Sequence, residues 1–322
     1  MWQVPYKTLR LLGALGVVVW LAGCAQSVAP TVHTPVAPAT PFYAPQFVAE
    51  YRADNPLVGH FYHPERGEFY SWQQVMEMLP ESGWVLLGEQ HDHPDHHAMQ
   101  VGLLQALADQ RLLGNVAMEM LAVNQQPRLD SLMMRRDVLP SELEWNVGWP
   151  WENYQQQVAV ALMWANRVLA GDLADDQKAA TRRDNVIIPH YSPEHTDFLA
   201  NLVVTSHCNL FPADRAGPMV KMQLARDQFM ARQMNRYPVT DKVSVFIAGS
   251  GHVRADYGAP LWLADDLPRL TILLQAVGAE TDARSYANER VMGKYPADLI
   301  YFVPAMPARD YCAELLESMR GG

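Results

Sequence analysis

Four of the eleven histidines, His91, His93, His96 and His97, fall within seven residues, with the carboxylates Glu89, Asp92 and Asp95 among or beside them. They lie in the stretch VLLGEQHDHPDHHAMQ, residues 85–100, where a short apolar run ends in Gly88-Glu89-Gln90-His91. A second Gly-x-x-His frame, Gly249-Ser250-Gly251-His252, follows the apolar run 243–248, and Glu119 stands near the end of a third run, 115–120. A glycine lets the chain turn tightly after a strand, so that the imidazole faces back over the sheet edge. Brought together, Glu89, His91, Glu119 and His252 suit a divalent metal, or an acid/base pair with pKa values moved by burial. Either would make a hydrolase. The plain alternative is a polar network that only caps helix ends and loop amides. A HExxH zinc protease is excluded, because no histidine is followed directly by glutamate. His93 and His97 are four apart and share a helix face, whereas His96 points elsewhere. The positive end of the helix dipole keeps these rings largely neutral.

Such a cluster needs strands that end in one place. Residues 84–87, 115–120, 167–170, 243–248, 270–276 and 297–303 read as strands, bounded by glycines and polar turns. Asp172 follows the third of these and is a further strand-end carboxylate. Helices are predicted between them. Ser71 and Gln74 form a capping box before a short helix stopped by Pro80, and Pro94 opens a helix ended by Gly114. Others are expected over 127–136, 141–145 (a second capping box, Ser141 and Glu144), 152–166, 175–184, 197–206 and 218–237. Alternating strands and helices argue an α/β fold, a mostly parallel sheet flanked by helices. In such sheets ligands gather at the carboxyl ends of the strands. An inserted helical subdomain is expected over about 124–241, within a single domain spanning 47–322 whose first part, 47–70, is an aromatic-rich lead-in.

The segment before that domain is a processing and targeting segment. Lys7 and Arg10 precede the eleven-residue apolar run 11–21, too short to span a bilayer, which needs about 20 apolar residues. It ends in Leu21-Ala22-Gly23-Cys24, which looks like a bacterial lipobox cut before Cys24. Residues 1–23 are therefore expected to be a lipoprotein signal peptide and Cys24 the lipidated N-terminus. Ala25 at the next position resembles lipoproteins sorted to the outer membrane. Residues 25–46 hold five prolines and no charged side chain, a semi-rigid tether. At about 3.1 Å per residue it reaches on the order of 60 Å. The chain carries −10 formally; loss of Lys7 and Arg10 leaves 23 basic against 35 acidic groups, −12. That charge gives no electrostatic reason to bind nucleic acid. Cys208 and Cys312 remain, either one disulfide in an oxidising compartment or two unpaired thiols.

Taken together, Val85-Leu86-Leu87-Gly88-Glu89 with His91, His96, His97 and Gln100, then Glu119-Met120, the tryptophan-rich segment ending in Tyr154, Gln223, Asp227 and Met230-Ala231, Gly249-Ser250-Gly251-His252-Val253-Arg254 and Ala297-Asp298-Leu299-Ile300-Tyr301-Phe302 resemble the ChaN family, iron-regulated bacterial haem-binding lipoproteins. The resemblance runs over roughly 83–303 and fades between Ala165 and His207. The paired Gly-x-x-His frames also resemble the wider superfamily of Tiki proteases and erythromycin esterases, where such groups serve hydrolysis. The ChaN resemblance implies haem (haem b) bound at a homodimer interface, its iron held by a tyrosine, in a protein that receives, stores or transfers haem rather than transforming it. It implies a lipid anchor on the periplasmic face of the outer membrane and exchange with an outer-membrane haem receptor. By motif position Tyr154 is the expected iron ligand, with Trp151 packing on the porphyrin and Tyr191, beside His190, as the fallback. The methionine-rich helix 218–237 is expected to be core, with a haem-lining surface as the alternative. The tail Arg309-Asp310-Tyr311-Cys312-Ala313 is family-like and favours a Cys208–Cys312 pair.

Overall fold

The computed structural model describes residues 46–183 and 188–320. The expected signal peptide, Cys24 and nearly all of the tether lie outside those residues. In chain order the elements are β1 (Phe61–His63), β2 (Glu68–Tyr70), α1 (Trp72–Glu77), β3 (Trp84–Glu89), α2 (Pro94–Asp109), β4 (Leu113–Ala122), α3 (Gln126–Leu132), α4 (Trp151–Trp164), β5 (Val168–Asp172), α5 (Asp175–Arg183), α6 (Pro193–Ser206), α7 (Gly217–Arg236), β6 (Val243–Gly249), α8 (Ser250–Val253), β7 (Arg269–Ala276), β8 (Leu299–Val303) and α9 (Tyr311–Arg320), with short 3-10 turns between some of them.

The strands form one sheet in the order β2-β1-β8-β7-β3-β6-β4-β5. From β8 to β5 every neighbouring pair is parallel; β1 joins β8 antiparallel, and β2 turns back on β1. The fold is thus α/β, a mostly parallel sheet with helices on both faces. Alternation along the strands sorts the core. Val85 and Leu87 of β3 pack with Leu103 and Leu107 of α2 and Val158 of α4, whereas Trp84 and Leu86 face Met230 and Met234 of α7. The methionine-rich helix therefore covers the sheet, where Met fills irregular gaps between strands. Among the described residues no helix is long and apolar enough to cross a membrane.

Several elements differ from the sequence reading. The lead-in before Tyr70 contains the hairpin β1–β2, too short to show a period-2 pattern. Gly114 lies inside β4 rather than ending α2; a Cβ there would sit 2.7 Å from Ser244 Oγ of the neighbouring strand. Residues 141–145 form turns, not a helix. Glu144 adopts φ +49° and its carboxylate pairs with Arg128, so no capping box forms. Within the stretch 124–241, the strand expected over 167–170 is β5, which belongs to the sheet.

The histidine-rich start of α2 is where both ends of the domain dock. His93 caps α2 through Nδ1, which accepts from the Asp95 amide, while its Nε2 donates to Pro304 O at 3.0 Å. His96 Nδ1 accepts from Gln90 N at 2.9 Å and its ring stacks on His93. Asp95, buried, accepts from the amides of Val48 and Ala49. Asp92 accepts from Tyr311 and Arg309 of the C-terminal segment. Cys208 and Cys312 are joined by a disulfide, with Cα atoms 5.7 Å apart.

Candidate functional site

Strand order places β3, β6, β4 and β5 side by side, so that Glu89, His252, Glu119 and Asp172 emerge along one stretch of the carboxyl edge. β3 lies between β6 and β7 although its chain successor is β4. That is a change in winding direction of the kind where open parallel sheets leave a crevice.

Glu89 is the hub on the α2 side. Its Oε1 accepts from His91 Nδ1 at 2.8 Å and from the Tyr154 hydroxyl at 2.7 Å, and its Oε2 accepts from the Gln100 amide. Gln157 in turn donates to Gln100 at 3.0 Å, and His97 Nε2 lies 3.5 Å from Glu89 Oε2. Glu119 is the hub on the other side. Its Oε2 accepts from the Gly249 amide at 2.7 Å, its Oε1 from Arg226 at 2.6 Å, and it stands between two imidazoles, 3.9 Å from His91 Nε2 and 3.6 Å from His252 Nε2. His252 Nδ1 donates to the buried Asp227 at 2.6 Å. Arg226 also forks onto Asp172 through two 2.9 Å bonds, and Lys178 closes that end at 2.8 Å. Gly249 is required by this packing, because a Cβ there would fall 2.7 Å from His91 Nε2.

Electrostatics sort these groups. Burial alone would push the Glu119 carboxyl up, but His252, Arg226 and His91 with the Gly249 amide hold it well below the usual carboxylate range. Burial opposes charge on His91 too, yet the Glu89 hydrogen bond and the Glu119 charge outweigh it and raise the ring's pKa. Asp227 is pushed up by burial, its contacts with His252 and Arg226 offsetting only part of this. His91 is the member open to solvent, its side chain 39% exposed against 0–7% for Glu89, Glu119, Asp227 and His252. Its ring edge packs on Trp149, 4.8 Å between centroids. The arrangement offers one accessible imidazole backed by a buried carboxylate, with a second imidazole–carboxylate pair behind it.

The four side chains expected to ligate a metal, Glu89, His91, Glu119 and His252, are brought together and engaged with one another and with protein donors. Among the described residues no three His, Cys, Asp or Glu side chains converge to hold a metal ion. The Arg226 guanidinium already stands where a cation would neutralise Glu119, and the Glu89 oxygens accept from Tyr154, Gln100 and His91. Tyr154, the expected iron ligand, is 0% exposed, and its hydroxyl donates to Glu89 and to His91 O. Burial first, then the Glu89 charge, raise its pKa far above that of a free phenol, which opposes the phenolate a ferric ion needs. Trp151 packs edge-on against Trp145 at 4.9 Å, within the cluster around α4.

Tyr191 is placed differently. It is 44% exposed, its ring edge meets His195 and Trp262, and its hydroxyl accepts from Lys294 Nζ at 3.3 Å. The preceding His190 lines a cavity of about 410 Å³ with Ile188, Thr196, Ala200, Val220 and Lys221. Arg226, Lys178 and Gln157 were missed in the sequence. The signal available for Arg226 was its place between Gln223 and Asp227, polar positions on the inward face of an otherwise apolar stripe.

A family model described as haem-binding uptake, Tiki superfamily, ChaN matches residues 75–263. Among solved structures the chain is similar to ChaN of Campylobacter jejuni, described with cofacial haem binding, at 22% identity over 75% of this chain and 95% of that one, TM-score 0.60. That likeness shows a shared fold. An erythromycin esterase in its open conformation aligns at 13% identity over 78% and 84% of the two chains, TM-score 0.39, and a Bacillus cereus protein at 10% over 63% and 68%, TM-score 0.35; neither is close enough to carry an argument. No curated protein matches. Since the family match spans more than half of the sequence and the fold agrees with it, the chain belongs to the ChaN family of haem-binding uptake proteins, in the Tiki superfamily.

Proposed function

We propose that this chain binds haem for uptake and that Tyr191, not Tyr154, ligates the iron. The observation that carries the assignment is the exposed Tyr191 hydroxyl with the Lys294 ammonium 3.3 Å away. Ferric iron takes a phenolate as axial ligand, and a donor beside the phenolate oxygen carries part of its charge. Haem supplies the iron centre; the chain's own part is to present the oxygen, the Lys294 donor and the apolar wall of the neighbouring cavity. A second copy of the chain would cover haem held so near the surface, giving the homodimer. Lipidation at Cys24, attachment to the periplasmic face of the outer membrane and exchange with an outer-membrane haem receptor complete the proposal, supported by the lipobox residues. Haemin titration of the soluble domain tests it. Tyr191→Phe is expected to abolish the tyrosinate-to-iron charge-transfer band and Tyr154→Phe to keep it. The reverse result returns the assignment to Tyr154, and no Soret change in the parent protein ends the haem reading.

A second reading is favoured by one observation, the accessible His91 held by buried Glu89 with Glu119 and His252 behind it. We propose that this cluster supports base-activated attack of water on an ester or amide. Turnover of a panel of aryl esters, absent in His91→Ala and unaffected by Tyr191→Phe, would establish it. An inactive parent protein would end it.

A further inference from the structure

The C-terminal segment has an architecture that neither reading uses. Tyr311, the residue before Cys312, places its hydroxyl over the turn carrying His91: it donates to Asp92 at 2.9 Å and accepts from the Gln90 amide at 3.2 Å. Arg309 adds a 3.2 Å bond to the same Asp92. The segment thus holds the side chains on both sides of His91. The side chains of α9 from Tyr311 to Glu317 are exposed or half-exposed. Beside the bonds to Gln90 and Asp92, the segment is held covalently, by the bond from Cys312 to Cys208 in the turn after α6. Cys312 is exposed and Cys208 half-buried, so the bond is open to exchange.

We propose that the Cys208–Cys312 disulfide is a redox latch that pins the start of α9 over the His91 turn, and that exchange with a dithiol releases the helix and loosens that turn. In the step, a thiolate of the dithiol attacks one sulfur, the Cys208–Cys312 bond breaks and the other cysteine leaves as a thiolate. The second thiol of the dithiol then displaces the first cysteine. The products are two cysteine thiols and the oxidised dithiol. Release frees Gln90 and Asp92 from Tyr311. The bonds from Gln90 N to His96, from His91 to Glu89 and from Tyr154 to His91 O persist, so the loosening stays local. A segment that buries little side-chain surface opens without unfolding the core.

Hydrogen exchange of the full folded chain, read by mass spectrometry with and without dithiothreitol, tests this. Reduction is expected to speed exchange several-fold at 309–320 and at 89–93 while β4, β6 and β7 stay protected. Tyr311→Phe, a surface change that leaves the disulfide intact, is expected to reproduce the effect at 89–93 alone. Unchanged exchange at 89–93 on reduction would overturn the latch. So would loss of protection in the central strands, or Tyr311→Phe behaving as the parent. Reducing the folded parent protein keeps the test independent of whether Cys208→Ser and Cys312→Ser variants fold.

Discussion

Glu119 and Glu89 are buried in the same cluster and satisfied by different means. Glu119 is balanced by charge, from Arg226 and the two flanking imidazoles, while Glu89 is held mainly by neutral donors, Tyr154 and Gln100. Removing one partner of a buried ion pair leaves the other uncompensated. Glu119→Gln is therefore expected to cost about 3 kcal/mol in urea unfolding, the low end of the usual range because Arg226 keeps Asp172. Tyr154→Phe loses a buried hydrogen bond to the Glu89 carboxyl group and is expected to cost about 2 kcal/mol. His91→Ala, at a half-exposed side chain, should stay within about 1 kcal/mol. That ordering separates groups that hold the site from the one that faces outward. The participants Glu89, His91, Glu119 and His252 were legible in the sequence because each follows an apolar run. Arg226 was not picked out, because its one signal, a place between Gln223 and Asp227 on an otherwise apolar stripe, says nothing of the carboxylates on β4 and β5 that it reaches.

At the scale of elements, the N-terminal turn of α2 carries the pH dependence. His93, His96 and His97 have pKa values lowered chiefly by burial, and His96 and His97 also by neighbouring imidazoles. A group whose folded pKa lies below its unfolded value contributes stability above the unfolded pKa and loses it as pH falls, because the unfolded chain takes up protons the native state refuses. Stability is expected to decline below about pH 6.5, by up to about 1.4 kcal/mol per pH unit for each histidine. His91 runs the other way: its raised pKa contributes below that pH and is lost on going up. The two effects occupy different windows: His91 acts above about pH 6.5, where its contribution is still growing as pH falls, and the decline below that pH comes from the three buried rings. Urea titrations at neutral and mildly acidic pH check it, and His96→Asn, which keeps an acceptor for Gln90 N, should flatten the curve. Gly171→Ala is a packing counterpart, since the new Cβ would lie 2.5 Å from Met118 O on the adjacent strand. Overpacking of this kind costs about 1–3 kcal/mol and shows as a lowered midpoint with unchanged slope. The long central strands and helices were legible from periodicity. The hairpin β1–β2 was not, since three-residue strands show no period.

At the scale of the whole molecule, the haem reading predicts assembly. Sedimentation of the soluble domain is expected to show a shift toward dimer on adding haemin, and Tyr191→Phe should remove the shift. Composition and pattern determined a great deal: an α/β chain, strand-end acids and imidazoles, and a family resemblance that the match over 75–263 bears out. Only the tertiary structure decided which of those residues meet. Strand order placed β6 between β3 and β4, bringing Glu119 between His91 and His252. Packing of α4 onto α2 turned Tyr154 inward to Glu89, while Tyr191, just before α6, stands at the surface. Both outcomes rest on contacts between residues far apart in the chain, and local sequence constrains conformation over one or two turns, not which distant surfaces meet.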